Sequence, residues 1–336
     1  MATLYVTENG AQVHKMDERL VIRKDKQVVE DIPLIKVERV VLVGRGVSVT
    51  TPALYALSQR GIDVVYLRRS GGFGFRVLGA EHKHSRLRHA QALQVSRPEV
   101  ALPIAQAIVA GKIHNQRVLV QRHAHEAGQL QRVAPALEGM AAMRKQAAAA
   151  TTLDELRGME GKAAAEYFGL YRQLLADRMG FERREYYPPP DPLNALLSFG
   201  YTLLLRETEA AAIMAGLDPA LGVLHAIDYG RPSLALDLEE EFRAPLIDSV
   251  VLQAVNGGLV QRGDFDPPTP EQAGWRLKEE PRRRFIALYE ARMVSDVTYS
   301  PLEQSTTWRR VLLLQAQQLA RVFLGEAPAY LPIQIR

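Results

Sequence analysis

Cysteine is absent from all 336 residues. That excludes disulfides, thiolate zinc sites and thiol nucleophiles, and it suits a chain working in a reducing cytoplasm. Long apolar runs are missing too. The longest window, VALPIAQAIVAG at 100–111, is interrupted by Pro103 and Gln106 and is too short to cross a bilayer. The first residues, MATLYVTENG, lack a basic segment followed by an apolar core, so no secretory leader is expected. No internal repeat occurs, which removes solenoids and propellers. Charge is nearly balanced at net +4, with a pI near 9.2 that leans towards anionic partners.

What is present fits two domains, since 336 residues exceed one ordinary core. The first eighty residues read as strands: LYVT, AQVH and LVIR form a meander, and VERVVLVG at 37–44 is a buried strand. Thr51 as N-cap and Pro52 start a short helix that ends at Gly61. IDVVYL follows as a strand, and Ser70 to Gly74 turns into FRVLG. Neither that glycine cluster nor Gly44-Arg45-Gly46 has phosphate-loop spacing. From residue 81 a basic, histidine-bearing stretch begins. Between Arg76 and Lys145 there are eleven Lys/Arg against four acids, a charge excess that can follow a polyphosphate backbone or simply face solvent.

The remainder is helical. Pro103 opens a long amphipathic helix, and AAMRKQAAAA at 141–150 reads as an exposed helix end. Thr152 with Glu155 is a capping box for a helix running to Met179. Asp191-Pro192 starts another. LIDSVVLQAV continues helical to Asn256, two amphipathic arginine-bearing helices follow, and APAYLPIQIR is a proline-broken tail. The fold class is therefore α+β: a β-rich domain at 1–80, a basic linker at 81–98, and a larger all-α domain at 99–336.

Four places stand out chemically. His225 sits among Leu221, Val223 and Leu224, where an imidazole needs a partner. Asp237, Glu240 and Glu241 lie at helical spacings of three and four, so like charges crowd one face unless a cation separates them. A divalent metal is one such cation; a hydrogen-bonded core histidine beside a solvated acidic edge is the plainer alternative. Glu160 falls on the apolar stripe of Leu156, Ala163, Ala164 and Tyr167, where a carboxylate must be paired, metal-bound or neutral. Asn194, Ser198 and Tyr201 form a polar strip beside Leu197 and Phe199.

Ordered segments carry a resemblance. MEGKAAAEYF with Glu160, DPLNALLSFGYTLL (Asp191 to Leu204), GLDPALGVLH (Gly216 to His225) and GRPSLALDLEEEFR (Gly230 to Arg243) follow one another as in the CRISPR-associated integrase and endonuclease Cas-one. KIHNQR (Lys112 to Arg117) is a weaker match. The chain resembles that family over essentially its whole length, departing at Glu241, where the family often has proline.

The resemblance implies metal ligands Glu160, His225 and Glu240, which are also the catalytic residues, and selects Glu240 among acids that spacing leaves open. Two carboxylates and an imidazole suit Mg2+ or Mn2+. Asp237 would support the ligands, and Asn194, Ser198, Tyr201, Arg243 and Lys112 would support them or bind phosphate. The implied reaction joins short DNA duplex ends to a CRISPR repeat by metal-assisted phosphodiester transesterification. The implied assembly is a homodimer through the N-terminal domain, two of which a Cas-two dimer bridges. Two other readings predict different outcomes: a DNA-binding scaffold without turnover, or a metal-dependent RNA phosphodiesterase.

Overall fold

The computed structural model describes residues 2–43, 46–67, 73–77 and 84–336. Gly44-Arg45, the turn at Ser70 to Gly72 and the start of the expected linker, 81–83, lie outside the described residues. The chain divides into two compact units with the boundary between residues 83 and 84.

The first unit contains β1 (Ala2–Val6), β2 (Gln12–Met16), β3 (Arg19–Lys24), β4 (Gln27–Pro33), β5 (Val37–Val43), β6 (Ser48–Val49), α1 (Thr51–Gln59), β7 (Asp63–Leu67) and β8 (Phe73–Val77). Of the expected meander LYVT-AQVH-LVIR only the last two, β2 and β3, pair antiparallel; β4 extends them, β6 adds parallel to β2, and β1 goes to another sheet. A second sheet has the order β1-β5-β7-β8, with β1, β5 and β7 parallel. The parallel pairing explains why VERVVLV is almost wholly buried. Val13, Leu20, Ile22, Val40 and Leu57 share one core. The cap of α1 is Thr50 rather than Thr51.

The second unit contains α2 (Ser85–Gln94), α3 (Pro98–Glu126), α4 (Leu130–Ala148), α5 (Leu153–Tyr171), α6 (Pro192–Met214), α7 (Ser233–Phe242) and α8 (Ser249–Asn256). After α8 come β9 (Phe265–Asp266), β10 (Arg276–Leu277), α9 (Glu279–Val294), β11 (Asp296–Tyr299), β12 (Gln304–Thr307) and α10 (Trp308–Phe323). A π-helical turn, Arg243–Asp248, joins α7 to α8. Residues 85–94, read above as linker, form α2, whose Leu87 and Gln91 are buried in this unit. The basic sequence hid a helix held by the Gln91 amide and by the buried Leu87. Helix α3 begins at Pro98, where the missing N–H costs nothing, so Pro103 lies inside it and removes one backbone bond.

Helix α5 stops at Tyr171, eight residues before its expected end. Asn256 accepts from Ala176 N at 2.8 Å and donates to Leu174 O at 2.8 Å, which turns the chain away. The stretch 141–150 is a largely exposed helix end as expected, except that Ala147 and Ala150 are buried and Gln106 donates to Ala150 O. Thr152 accepts from Glu155 N and Asp191 from Asn194 N as expected, but the Glu155 carboxylate bonds Thr151 N and does not close the expected box on Thr152. No described helix is long and apolar enough to cross a membrane.

Candidate active site

The loop carrying His225 is built on Asp237. Asp237 is fully buried on α7, and its Oδ2 accepts from Val223 N at 2.6 Å and Leu224 N at 3.0 Å. Its Oδ1 accepts from His225 N at 2.9 Å and meets His225 Nδ1 at 2.7 Å. Gly222 permits this approach, because a Cβ there would lie 2.6 Å from Asp237 Oδ2. One carboxylate thus gathers three backbone donors and fixes the imidazole with Nδ1–H towards Asp237 and Nε2 outward. From the other side, Gln91 of α2 holds Asp218 and Leu221 by three hydrogen bonds, and Arg157 of α5 donates to Leu224 O.

Three helices then converge. Glu240 is 3% exposed, and its Oε1 lies 2.8 Å from Arg243 and 3.8 Å from His225 Nε2. Its Oε2 lies 2.6 Å from the Lys112 ammonium of α3. The same ammonium donates to Glu160 of α5, which is half-buried. Burial pushes the Glu240 carboxyl up, but Arg243, Lys112 and His225 outweigh it and hold it at about 2. Burial alone would lower Lys112; Glu240 and Glu160 outweigh that and raise it. The site therefore keeps its carboxylate charged at neutral pH by surrounding it with cations.

The neighbouring acids face elsewhere. Glu239 pairs with Arg243 at 3.3 Å, and burial lifts it to about 7. Glu241 points to the opposite side of α7, where Tyr330, Gln315 and Ile333 N donate to it. Burial without a cation raises it to about 8. Of the three successive glutamates, only Glu240 meets both Lys112 and His225.

The strip on α6 organises arginines rather than the carboxylates. Asn194 accepts from Arg184 and Glu185 N and donates to Arg183 O and Asp191, so all of its capacity is used. Ser198 accepts from Arg184 at 3.0 Å. Arg184 and Arg243 lie over the Tyr201 ring at 5.2 and 4.9 Å. The Tyr201 hydroxyl donates to Asp248 at 2.6 Å, as does Tyr167 of α5. Asp248, pushed up to about 6 by burial, ties α5 and α6 to the turn bearing Arg243.

Gln91, Arg157, Arg184 and Asp248 escaped the sequence reading. Each acts across a long sequence separation, and only Asp248 carried a local hint, lying eight residues after Glu240 on the same helical run. Among the described residues of the basic stretch 76–145, Lys112 alone reaches Glu160 and Glu240, and it is buried against them rather than presented to solvent.

Among the described residues no three His, Asp or Glu side chains are disposed to hold an ion as they stand. The donor chemistry nevertheless fits a hard divalent cation. Two carboxylates already share one positive charge, and His225 Nε2 faces Glu240.

Comparison with known proteins places the whole chain beside one family. The family model for CRISPR associated protein Cas1 matches residues 4–291. The CRISPR-associated endonuclease Cas1 3 of Thermus thermophilus is 38% identical over 340 residues, covering 100% of this chain and 98% of its own. The CRISPR-associated endonuclease Cas1 2 of Rhodospirillum rubrum is 37% identical, covering 98% and 97%. Among solved structures, a casposase bound to integration product has TM-score 0.85 at 21% identity, over 98% of this chain and 93% of that one, a likeness of fold. A chain of a Cas6-RT-Cas1–Cas2 complex has TM-score 0.81 at 28% identity, over 100% of this chain and 36% of that one.

Proposed function

The chain belongs to the CRISPR-associated Cas1 family, and from that premise we propose that it is a metal-dependent DNA endonuclease and integrase. Its reaction would join the ends of a short duplex to a CRISPR repeat by phosphodiester transesterification. The observation that carries this reading is the meeting of Glu160, Glu240 and Lys112, with His225 Nε2 directed at the same carboxylate.

Glu160, Glu240 and His225 Nε2 would hold Mg2+ or Mn2+. When bound, that ion supplies Lewis-acid polarisation of the scissile phosphate and acidifies the attacking hydroxyl. The chain's own residues make the site ready for it. Asp237 fixes the histidine tautomer and ring orientation. Arg243 orients Glu240 through Oε1 and leaves Oε2 directed at the second carboxylate's side. Asp248, through Tyr167 and Tyr201, keeps the helices of Glu160 and Arg243 in register. Exposed basic residues such as Arg97, Arg122 and Lys145 would hold backbone phosphates, giving steep salt dependence with little sequence readout.

The likeness to part of a chain from a Cas6-RT-Cas1–Cas2 complex supports a Cas2 partner, and we assign homodimerisation to the first unit. The cysteine-free sequence supports a cytoplasmic setting. Strand transfer of a short duplex into a supercoiled plasmid, with the partner present, tests the reading. We expect product only with Mn2+ or Mg2+ and none after chelation. Equal product with EDTA contradicts metal dependence; DNA binding with no joining under any condition favours a scaffold. Faster cleavage of branched RNA than of branched DNA favours the RNA phosphodiesterase.

A further inference from the structure

Among the described residues Lys112 is the one cation in contact with both candidate ligand carboxylates. It lies on α3, is 5% exposed, bonds to Glu160 of α5 and sits 2.6 Å from Glu240 Oε2 of α7. Without a positive charge there, two carboxylates from different helices would face each other in a poorly solvated place. The ammonium cannot be a phosphate contact in this arrangement, because its donors face protein carboxylates and it scarcely reaches solvent.

Its helix is also fixed. One turn on, Asn115 donates to Glu241 O at 2.8 Å and Ile333 O at 3.0 Å, and accepts from Ile335 N at 3.0 Å. Gly111, just before Lys112, packs so closely that a Cβ would stand 2.5 Å from Pro332. The backbone of α3 is thus locked to α7 at this level. Only rotation of the lysine's own four-carbon stem can move Nζ, and an unbranched stem permits that. The contact with Glu240 Oε2 is a close ion pair, which a competing cation can replace.

We infer that the Lys112 ammonium is a resident counter-cation that holds Glu160 and Glu240 together in the metal-free protein, and that a divalent ion takes its place between them. Lys112 is then a positioning residue that sets metal affinity. The inference rests on the proposed metal-binding role of Glu160 and Glu240, and its test separates the two.

The full-length chain is titrated with Mn2+ and free ion followed by electron paramagnetic resonance. Thermal melting is recorded with and without Mn2+. Wild type, Lys112→Met, Lys112→Arg, Glu160→Gln and the Lys112→Met/Glu160→Gln double variant are compared. Removing the competing charge should tighten Mn2+ binding on the order of tenfold in Lys112→Met. That variant should melt earlier than wild type without metal and recover with Mn2+, while Lys112→Arg keeps the wild-type metal-free melting point. The double variant should lose the tight binding. Mn2+ binding by Lys112→Met as weak as or weaker than wild type, or metal-free melting unchanged from wild type, overturns the inference. A Met variant that fails to fold without metal supports it if Mn2+ restores folding and overturns it if Mn2+ does not. Wild type and Glu160→Gln binding Mn2+ identically would refute the metal reading instead, whatever the melting of Lys112→Met.

Discussion

Glu240 and Glu241 are consecutive, equally buried and of the same type, yet the protein holds one at about 2 and lifts the other to about 8. Burial raises both. Glu240 is then brought down by Arg243, Lys112 and His225, all full or potential cations. Glu241 has only neutral donors: a tyrosine hydroxyl, a glutamine amide and one backbone N–H. Hydrogen bonds satisfy a buried carboxyl, but counter-charge is what keeps it ionised. One side of α7 is therefore electrostatic machinery, and the other fastens the segment 330–335, which lies beyond the matched stretch 4–291.

The largest break in this contrast should come from Glu240→Gln. It leaves Lys112 and Arg243 buried with less opposing charge, and we expect a loss of about 3–5 kcal/mol in urea unfolding at pH 7. A loss below about 1 kcal/mol would mean that solvent already screens the cluster. Glu241→Gln should behave differently. In the native state Glu241 keeps its proton from 4.5 up to about 8, while the unfolded chain releases it near 4.5. The native state binds more protons across that window, so this group's contribution to stability falls as pH rises through it. The Gln variant should lack that decline, gaining on wild type by a few kcal/mol between pH 5 and pH 9. Parallel stability curves would show that Glu241 ionises as easily as in water.

Gly111→Ala sharpens the account of the fastening side. Alanine in a helix interior normally stabilises by up to about 1 kcal/mol. Here the added methyl meets Pro332, so we expect destabilisation of about 1–3 kcal/mol in thermal melts. A gain would show that the 330–335 segment moves aside freely. The smallest effect is expected for Thr152→Ala, which removes the cap of α5 eight residues before Glu160 and should cost about 1 kcal/mol. No change in melting would remove that cap from the helices that position Glu160.

Much of this was legible in sequence because the signals are local. Thr152 and Asp191 announced their helices by side-chain chemistry within one turn, and Glu160 betrayed itself by sitting on an apolar stripe. Spacing brought Asp237 and the glutamates to one helix but left open which glutamate faces the histidine. That choice depends on what each carboxylate meets: Lys112 of α3 reaches Glu240, while Gln315, Tyr330 and Ile333 N reach Glu241. Neither set of partners is encoded near residue 240. The same reason hid α2, whose place rests on Gln91 bonding to residues 218 and 221, and shortened α5, which Asn256 turns aside. The meander failed in part because parallel pairing of β1, β5 and β7 is a matter of topology, and strand composition alone is silent on it.

The central claim is that Glu240, and not its equally buried neighbour, belongs to the reacting site. Strand transfer of a short duplex into plasmid DNA, measured side by side for Glu240→Gln and Glu241→Gln with Mn2+ and the partner protein, tests it most directly. The account predicts that Glu240→Gln still binds DNA but joins it at least about a thousandfold more slowly, a loss on the scale of removing an essential electrostatic group. Glu241→Gln should stay within about tenfold of wild type. Joining by Glu240→Gln at the wild-type rate, or loss of joining by a folded Glu241→Gln alone, would contradict it.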